Sequence, residues 1–221
     1  MKTINIAIDG PSASGKSTVA DELCRILGYK HLDTGAMYRC VALKVTEEKV
    51  DINKTKKLKE VLNTISIDFD EEGHVYLNGE DVTAKIRTDE ISMAASNVST
   101  KKEVREFLVA AQQEIARNKG YIMDGRDIGT VVLPDAELKI FLTASVEARA
   151  KRRYLENKEK GMNPDMQTLK NEIIARDYQD THRKNSPLRQ AEDAILIDSS
   201  DMSKAEVVDE CMKLVNKLIE E

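Results

Sequence analysis

The stretch Gly10-Pro11-Ser12-Ala13-Ser14-Gly15-Lys16-Ser17-Thr18 decides the reading of this chain, because two glycines spaced by four residues and followed by Lys and Ser form a phosphate-binding loop pattern. Before it, Thr3-Ile4-Asn5-Ile6-Ala7-Ile8-Asp9 is rich in β-branched residues; after it, Val19, Leu23, Ile26 and Leu27 recur at helical spacing. Strand, glycine loop and helix in this order turn backbone N–H groups inward at a helix N-terminus, where unpaired donors and the dipole both favour an anion. Triphosphate oxygens suit that cradle. Lys16 is expected to reach the β and γ phosphates as a mobile point charge, and the Ser17 hydroxyl to ligate a Mg²⁺ that bridges the same oxygens. A plain Gly/Ser-rich turn would need neither the four fixed positions nor both flanks.

The 221 residues suffice for one sizeable core with a small appended lobe. Hydrophobic residues at 41% and charged residues at 33% fit a soluble globular protein, and no apolar run approaches the roughly 20 residues that cross a bilayer. The N-terminal apolar stretch is broken by Asn5 and Asp9 and reads as a first strand, not a signal peptide, so a cytoplasmic location is expected. Cys24, Cys40 and Cys211 are odd in number, far apart and without a C-x-x-C pair; they read as core residues, not as a disulfide framework or a zinc site. The net charge of −5 disfavours a nucleic-acid polymer as partner, while leaving room for a single nucleotide held by a few converging arginines.

Along the chain, Tyr29 to Asp33 is a short strand, and Thr34-Gly35-Ala36-Met37-Tyr38-Arg39 turns into a helix that runs to about Glu47, with Thr34 suited to its N-cap. Taken alone, Tyr38 and Arg39 read as a packed ring and a surface cation. Residues 51 to 62 are polar and weakly helical. At Ile65 the period changes: Ile65, Ile67 and Phe69 alternate, a turn follows at residues 70 to 73, then Val75 and Leu77 precede Asn78-Gly79. A compact β insertion over about 63 to 90 is expected, with Val82 to Ile86 offering a third strand. Asp89 to Asn118 is helical with a break near Ser99-Thr100. Gly120 to Met123 enters a strand ending in Asp124-Gly125-Arg126-Asp127. A buried strand ending in an acid can bring a carboxylate near the Mg²⁺, behind its direct ligands; a turn-forming Asp is the alternative reading of Asp124. Strands at 138 to 142 and 194 to 198 and a helix over Ser203 to Glu221 complete the chain. The expectation is an α/β fold with five parallel strands covered by helices, ligands gathering at the carboxyl ends of the strands.

Two helices carry charge in patterns that solubility does not require. Arg149, Arg152 and Arg153 stand at i, i+3 and i+4 on one face; Arg176, Asp180 and Arg183 stand at i, i+4 and i+7. A surface ladder explains the second set alone, at about 0.3 to 0.5 kcal/mol per pair. Phosphoryl transfer offers a further reason, since its barrier is lowered mainly by positioning and by neutralising charge, for which bidentate guanidinium groups are suited. The polar Gly- and Pro-containing stretch from 157 to 165 fits the hinge of a closing lid that keeps water from the triphosphate. His31, His74 and His182 share no ligand spacing and read as non-catalytic.

Read together, Ile8-Asp9-Gly10-Pro11-Ser12, Gly15-Lys16-Ser17, Asp33-Thr34-Gly35-Ala36-Met37-Tyr38-Arg39, Gly79-Glu80-Asp81-Val82, Ile86-Arg87-Thr88, Asp124-Gly125-Arg126-Asp127-Ile128-Gly129-Thr130-Val131-Val132, Pro134-Asp135-Ala136 and Arg176-Asp177 with Asp180 and Arg183 resemble the bacterial cytidylate kinases of the nucleoside monophosphate kinase family over essentially the whole chain. The resemblance implies one P-loop kinase domain over 1–221, with a monophosphate-binding β insertion at 63–90 and a short helical lid at 149–176. It implies transfer of the γ-phosphate of ATP to CMP and dCMP with Mg²⁺, and residues 10 to 18 as the ATP loop. Lys16, Arg126, Arg152 and Arg153 would serve catalysis. Arg39 and Arg126 would hold the CMP phosphate; Thr34, Arg105, Asp127 and Arg183 would read or orient the base; Ser96, Arg176 and Asp180 would serve the sugar, and Tyr38 belongs to the same site. The family often has Ser where this chain has Thr34, which keeps the hydroxyl and adds a methyl.

That assignment suits cytosine chemically, because its 4-amino group needs an acceptor such as Asp127 while N3 and O2 need a donor such as Arg105. Two alternatives stand beside it: a P-loop kinase for another acceptor such as UMP or dTMP, and a nucleotide-dependent binding module that phosphorylates no metabolite. A monomer is expected, since no unburied apolar stripe is evident.

Overall fold

The computed structural model describes residues 2–70 and 72–219. Glu71 of the expected 70–73 turn, and Glu220 and Glu221 at the end of the expected C-terminal helix, lie outside the described residues. The chain divides into two compact units, Met1–Leu32 with Ala116–Glu221, and Asp33–Ile115.

The larger unit is organised on five strands: β1 (Ile6–Asp9), β2 (Lys30–Asp33), β6 (Tyr121–Gly125), β7 (Leu138–Thr143) and β8 (Ile195–Asp198), where β3 to β5 belong to the other unit. They form a parallel sheet in the order β2-β6-β1-β7-β8, so the first strand lies at the centre between two that arrive more than a hundred residues later. Parallel neighbours need crossovers, which here are helices flanking the sheet. Side chains two apart share a face, and Ile6, Ile8, Ile140 and Leu142 meet Val19, Ala20 and Leu23 of α1 (Lys16–Leu27) and Val208, Cys211 and Val215 of α8 (Lys204–Ile219) in one apolar core. The edge strand departs from the expectation of full cover: Ile195 and Leu196 are exposed, and only Ile197 of β8 is buried. Two further helices, α6 (Val146–Glu159) and α7 (Met166–His182), pack against each other. Their starts are set by Ser145 and Asp165, whose side chains accept the N–H groups of Ala148 and Thr168.

The smaller unit holds α2 (Thr34–Glu47), α3 (Thr55–Leu62), the antiparallel sheet β3 (Ile67–Phe69), β4 (Val75–Leu77) and β5 (Glu80–Asp81), then α4 (Asp89–Val98) and α5 (Lys102–Ile115). The break expected near Ser99 is present between α4 and α5. Two details differ from the sequence expectation. The third strand is Glu80–Asp81, not 82–86, because the Asp81 carboxylate accepts both the N–H and the hydroxyl of Thr83 and turns the chain into a 3-10 segment at Lys85–Arg87. The N-cap of α2 is Asp33, whose carboxylate accepts the Ala36 N–H at 3.0 Å, which leaves Thr34 in the first turn.

All three cysteines are buried and free, and burial is the first reason that each thiol is pushed up to about 12. Among the described residues no helix is long and apolar enough to cross a membrane.

Candidate active site

The phosphate loop leaves β1 at Asp9 and enters α1 at Lys16. Both expected glycines are required by its shape. A Cβ on Gly10 would overlap the Leu142 carbonyl of β7, and Gly15 takes φ +94, a left-handed conformation that favours glycine. Lys16, 5% exposed, folds back over the loop and donates to the Pro11 carbonyl at 2.8 Å and to Ser14 Oγ at 3.4 Å. Burial first, then the nearby Arg126 guanidinium, lowers its amine to about 7. Asp124, Asp9 and Asp180 oppose that shift without overcoming it, and an anion in the loop would add to their charge.

β6 brings Asp124 to the start of α1, where its carboxylate accepts the Ser17 hydroxyl at 2.8 Å. The other oxygen accepts from His31 Nε2 at 2.8 Å, and His31 Nδ1 bonds to Asp21 at 2.7 Å. Burial alone would raise Asp124, but the His31 bond and charge outweigh it and hold the carboxyl below the usual range. In return the two carboxylates overcome burial and push the His31 imidazole up to about 10, so both ring N–H groups donate. Asp124 is therefore no simple turn residue. His31 links buried Asp124 to the largely exposed Asp21; its signal in sequence was a polar residue inside a short strand, next to buried Leu32.

One residue beyond the strand, Arg126 opens a second cluster. Its Nε donates to Asp180 Oδ2 at 2.8 Å, and the attraction of Asp180 outweighs burial to raise the guanidinium. Asp180 lies below the usual carboxylate range despite burial, held there by Arg126, then Arg176 and Arg183. Asp127, equally buried, pairs with Arg183 Nη2 at 3.6 Å. Arg126, Asp127, Arg176, Asp180 and Arg183 thus gather as one network, and the surface-ladder reading of the 176–183 spacing gives way to a buried one.

The three arginines of α6 divide. Arg149 grips both Asp177 oxygens at 3.0 and 2.6 Å while donating to the carbonyls of Ala144 and Ser12, so it ties α6 to α7 and to the phosphate loop. Arg152 donates to the Ser14 carbonyl at 3.2 Å and to the Ser199 carbonyl at 2.5 Å. Arg153 is half-buried on the same helix. Of the partners that sort Arg149 from Arg152, Asp177 entered the sequence reading only as part of the Arg176-Asp177 motif, with no role given, and Ser199 was not singled out.

In the smaller unit, Arg39 Nη2 donates to Asp33 at 2.6 Å, and the Arg105 guanidinium lies 5.6 Å from the centre of the Tyr38 ring while Nη1 reaches the Ser99 carbonyl at 3.5 Å. Thr34 is buried in the first turn of α2, and Ser96 is half-buried on α4. Tyr38 is thus an aromatic partner to a buried cation and more than packing.

Chemically, the larger unit offers an anion cradle with a lysine, a hydroxyl-carboxylate pair of hard oxygens and, just past the end of the same strand, a guanidinium-rich cluster. Comparison with known proteins gives these features a context. The family model described as cytidylate kinase matches residues 6–217. A cytidylate kinase of Caldicellulosiruptor bescii is 55% identical over 99% of this chain and 98% of its own, and one of Bacillus cereus is 49% identical over 97% of each. A solved gluconokinase from Sinorhizobium meliloti, 16% identical, superposes with a TM-score of 0.52 over 99% of this chain and 94% of its own, a likeness of fold.

Proposed function

The chain belongs to the cytidylate kinase family, and from that premise we propose that it transfers the γ-phosphate of ATP to CMP and dCMP, giving ADP with CDP or dCDP. The observation that carries this reading is the run Asp124 to Asp127: one strand end delivers a carboxylate to Ser17 of the phosphate loop and, two and three residues later, a guanidinium and a second buried carboxylate to another cluster. A chain that serves a nucleoside triphosphate and a second anion from one strand end suits phosphoryl transfer between them.

The acceptor phosphate oxygen forms the new bond to the γ-phosphorus while the bridge to the β-phosphate breaks, so no protein nucleophile or strong base is needed. Residues 10 to 18 bind the triphosphate through loop N–H groups, and Lys16 gains full charge on meeting it. Arg152 and Arg153 are assigned to charge that builds on the transferring group. Ser17 and Asp124 fit a Mg²⁺ site: a hydroxyl and an ionised carboxylate are hard oxygen donors, with Ser17 as direct ligand and Asp124 behind it. When bound, Mg²⁺ supplies neutralisation of phosphate charge.

For the acceptor we assign Arg126 to the phosphate, Asp127 and Arg183 to the base, and Arg176 and Asp180 to the sugar; in the smaller unit, Arg39 is assigned to the phosphate, Thr34, Tyr38 and Arg105 to the base, and Ser96 to the sugar. An Asp127 side chain facing the 4-position accepts from the cytosine amino group and opposes the uracil carbonyl, a mismatch that discriminates by as much as roughly 10⁴-fold. The 63–90 insertion and the 149–176 lid are assigned to acceptor binding and to exclusion of water. We take the enzyme as a cytoplasmic monomer acting on free nucleotides.

The test is ATP- and Mg²⁺-dependent diphosphate formation from CMP, dCMP, UMP, dTMP and AMP, read by separating the nucleotides. CDP and dCDP well above the rest are expected. Preference for another acceptor would discard the cytosine contacts, and tight CMP binding without turnover would favour a binding module.

A further inference from the structure

Asp9 is the last residue of β1 and immediately precedes Gly10, so its main chain leads directly into the phosphate loop. Its side chain goes elsewhere. Oδ1 accepts the Ile128 N–H at 2.8 Å and Oδ2 accepts the Gly129 N–H at 2.7 Å, the two backbone donors that follow Asp127. The main chain of Asp9 is held as well, through the parallel register with Gly125 on one side and Phe141 on the other. Glycine at 129 permits the close approach: a Cβ there would lie 3.4 Å from Asp9 Oδ2 and 3.2 Å from Lys139 Cδ.

Only 4% of Asp9 is exposed, and a buried charge of this kind opposes folding unless something holds it. Burial is the main reason that its carboxyl is pushed up to about 6, assisted by the Asp127 charge and opposed by the two N–H bonds and Lys16. An ionised carboxylate accepts on both oxygens. An amide of the same shape accepts on one and turns an NH₂ toward the other N–H, so two parallel backbone donors select Asp over Asn.

We propose that Asp9 is a positioning residue for acceptor selectivity: by clamping Ile128 and Gly129 it fixes Asp127 against the phosphate loop, so that the base-reading carboxylate and the triphosphate cradle keep one spacing. This rests on the assignment of Asp127 to the acceptor base, and Asp9 itself is assigned to neither substrate. A displacement of about 1 Å at such a point is enough to change rates by about 10²-fold.

The experiment compares the full chain with Asp9→Asn, using CMP and UMP as acceptors. Wild-type formation of CDP comes first; its absence would defeat the assigned function and say nothing against the clamp. Given that turnover, the folded variant is expected to keep its KM for ATP within about twofold while the CMP-to-UMP ratio of kcat/KM falls by about tenfold or more. A purely structural role would lower both acceptors together, and an unchanged ratio in a folded variant overturns the proposal. Should Asp9→Asn not fold, amide hydrogen exchange in the wild type decides: Ile128 and Gly129 protected like the neighbouring sheet amides supports the clamp, and exchange at the rate of open loops overturns it.

Discussion

The His31–Asp124 contact of the larger unit and the His74–Asp70 contact of the smaller one are both 2.8 Å long, yet the side chains are 16% and 6% exposed in the first and 41% and 32% in the second. In the first pair the imidazole is driven up to about 10 against the opposition of burial, and its carboxylate is held ready for Ser17. In the second, Asp70 raises His74, but the same carboxylate also accepts the backbone N–H groups of Glu72 and His74 and so makes a turn. The difference lies in what surrounds the charges. Water screens an exposed pair almost completely, whereas a buried pair keeps its attraction and leaves a costly orphan when one member is removed.

The largest effect expected on the buried side is kinetic. Lys16→Ala should lower kcat/KM for ATP-dependent turnover by about 10³-fold or more if its charge acts on the transferring group as proposed, while the variant's thermal transition stays near that of the wild type. Near-normal turnover would remove Lys16 from the reaction. Next comes stability: His31→Leu deprives buried Asp124 of its partner and should cost about 3 to 4 kcal/mol in urea unfolding. A loss within error would show that Ser17 and Lys16 hold Asp124 unaided, and would erase the contrast between the pairs.

A third effect depends on pH. Asp9 binds its proton more tightly folded than unfolded, at about 6 against an ordinary 3.8, so its contribution is fully present below 3.8 and lost as pH rises through about 6. The unfolding free energy of wild type minus that of Asp9→Asn should therefore be greater at pH 4 than at pH 7, by on the order of 3 kcal/mol. An equal difference at both values would mean that the carboxyl titrates alike in both states. The smallest effect sharpens the exposed side: His74→Leu should leave the urea midpoint unchanged within error, since the turn bonds of Asp70 survive.

Periodicity made most of the fold readable. The helical spacing of Val19 and Leu23 is a local pattern that corresponds to the buried face of α1, while β1 is buried on both faces, with Asn5 and Ala7 enclosed as well as Ile4, Ile6 and Ile8. The third strand of the small sheet was misplaced because Asp81 bonds to Thr83 and ends the strand early, a local competition that β-branched spacing does not register. The candidate site was legible where chemistry is written in consecutive residues, as in 10 to 18 and 124 to 127. Asp9 was given no role and His31 was read as non-catalytic, because the Ile128 N–H that Asp9 accepts and the Asp124 carboxylate that holds His31 lie 119 and 93 residues away. The α6 arginines show the same limit: their spacing gives a shared face on which both reach the phosphate loop, but Asp177 and Ser199 determine that Arg149 ties α6 to α7 and Arg152 ties it to the end of β8.

The three buried thiols make the molecule convenient for spectroscopy. Maleimide reacts with an accessible thiolate, and Cys24, Cys40 and Cys211 offer neither access nor ionisation near neutral pH. One cysteine introduced at an exposed helical position, Lys57 of α3 or Glu159 of α6, would carry a fluorophore at a single address with every native thiol left in place. Each unit can then be watched separately as nucleotides are added.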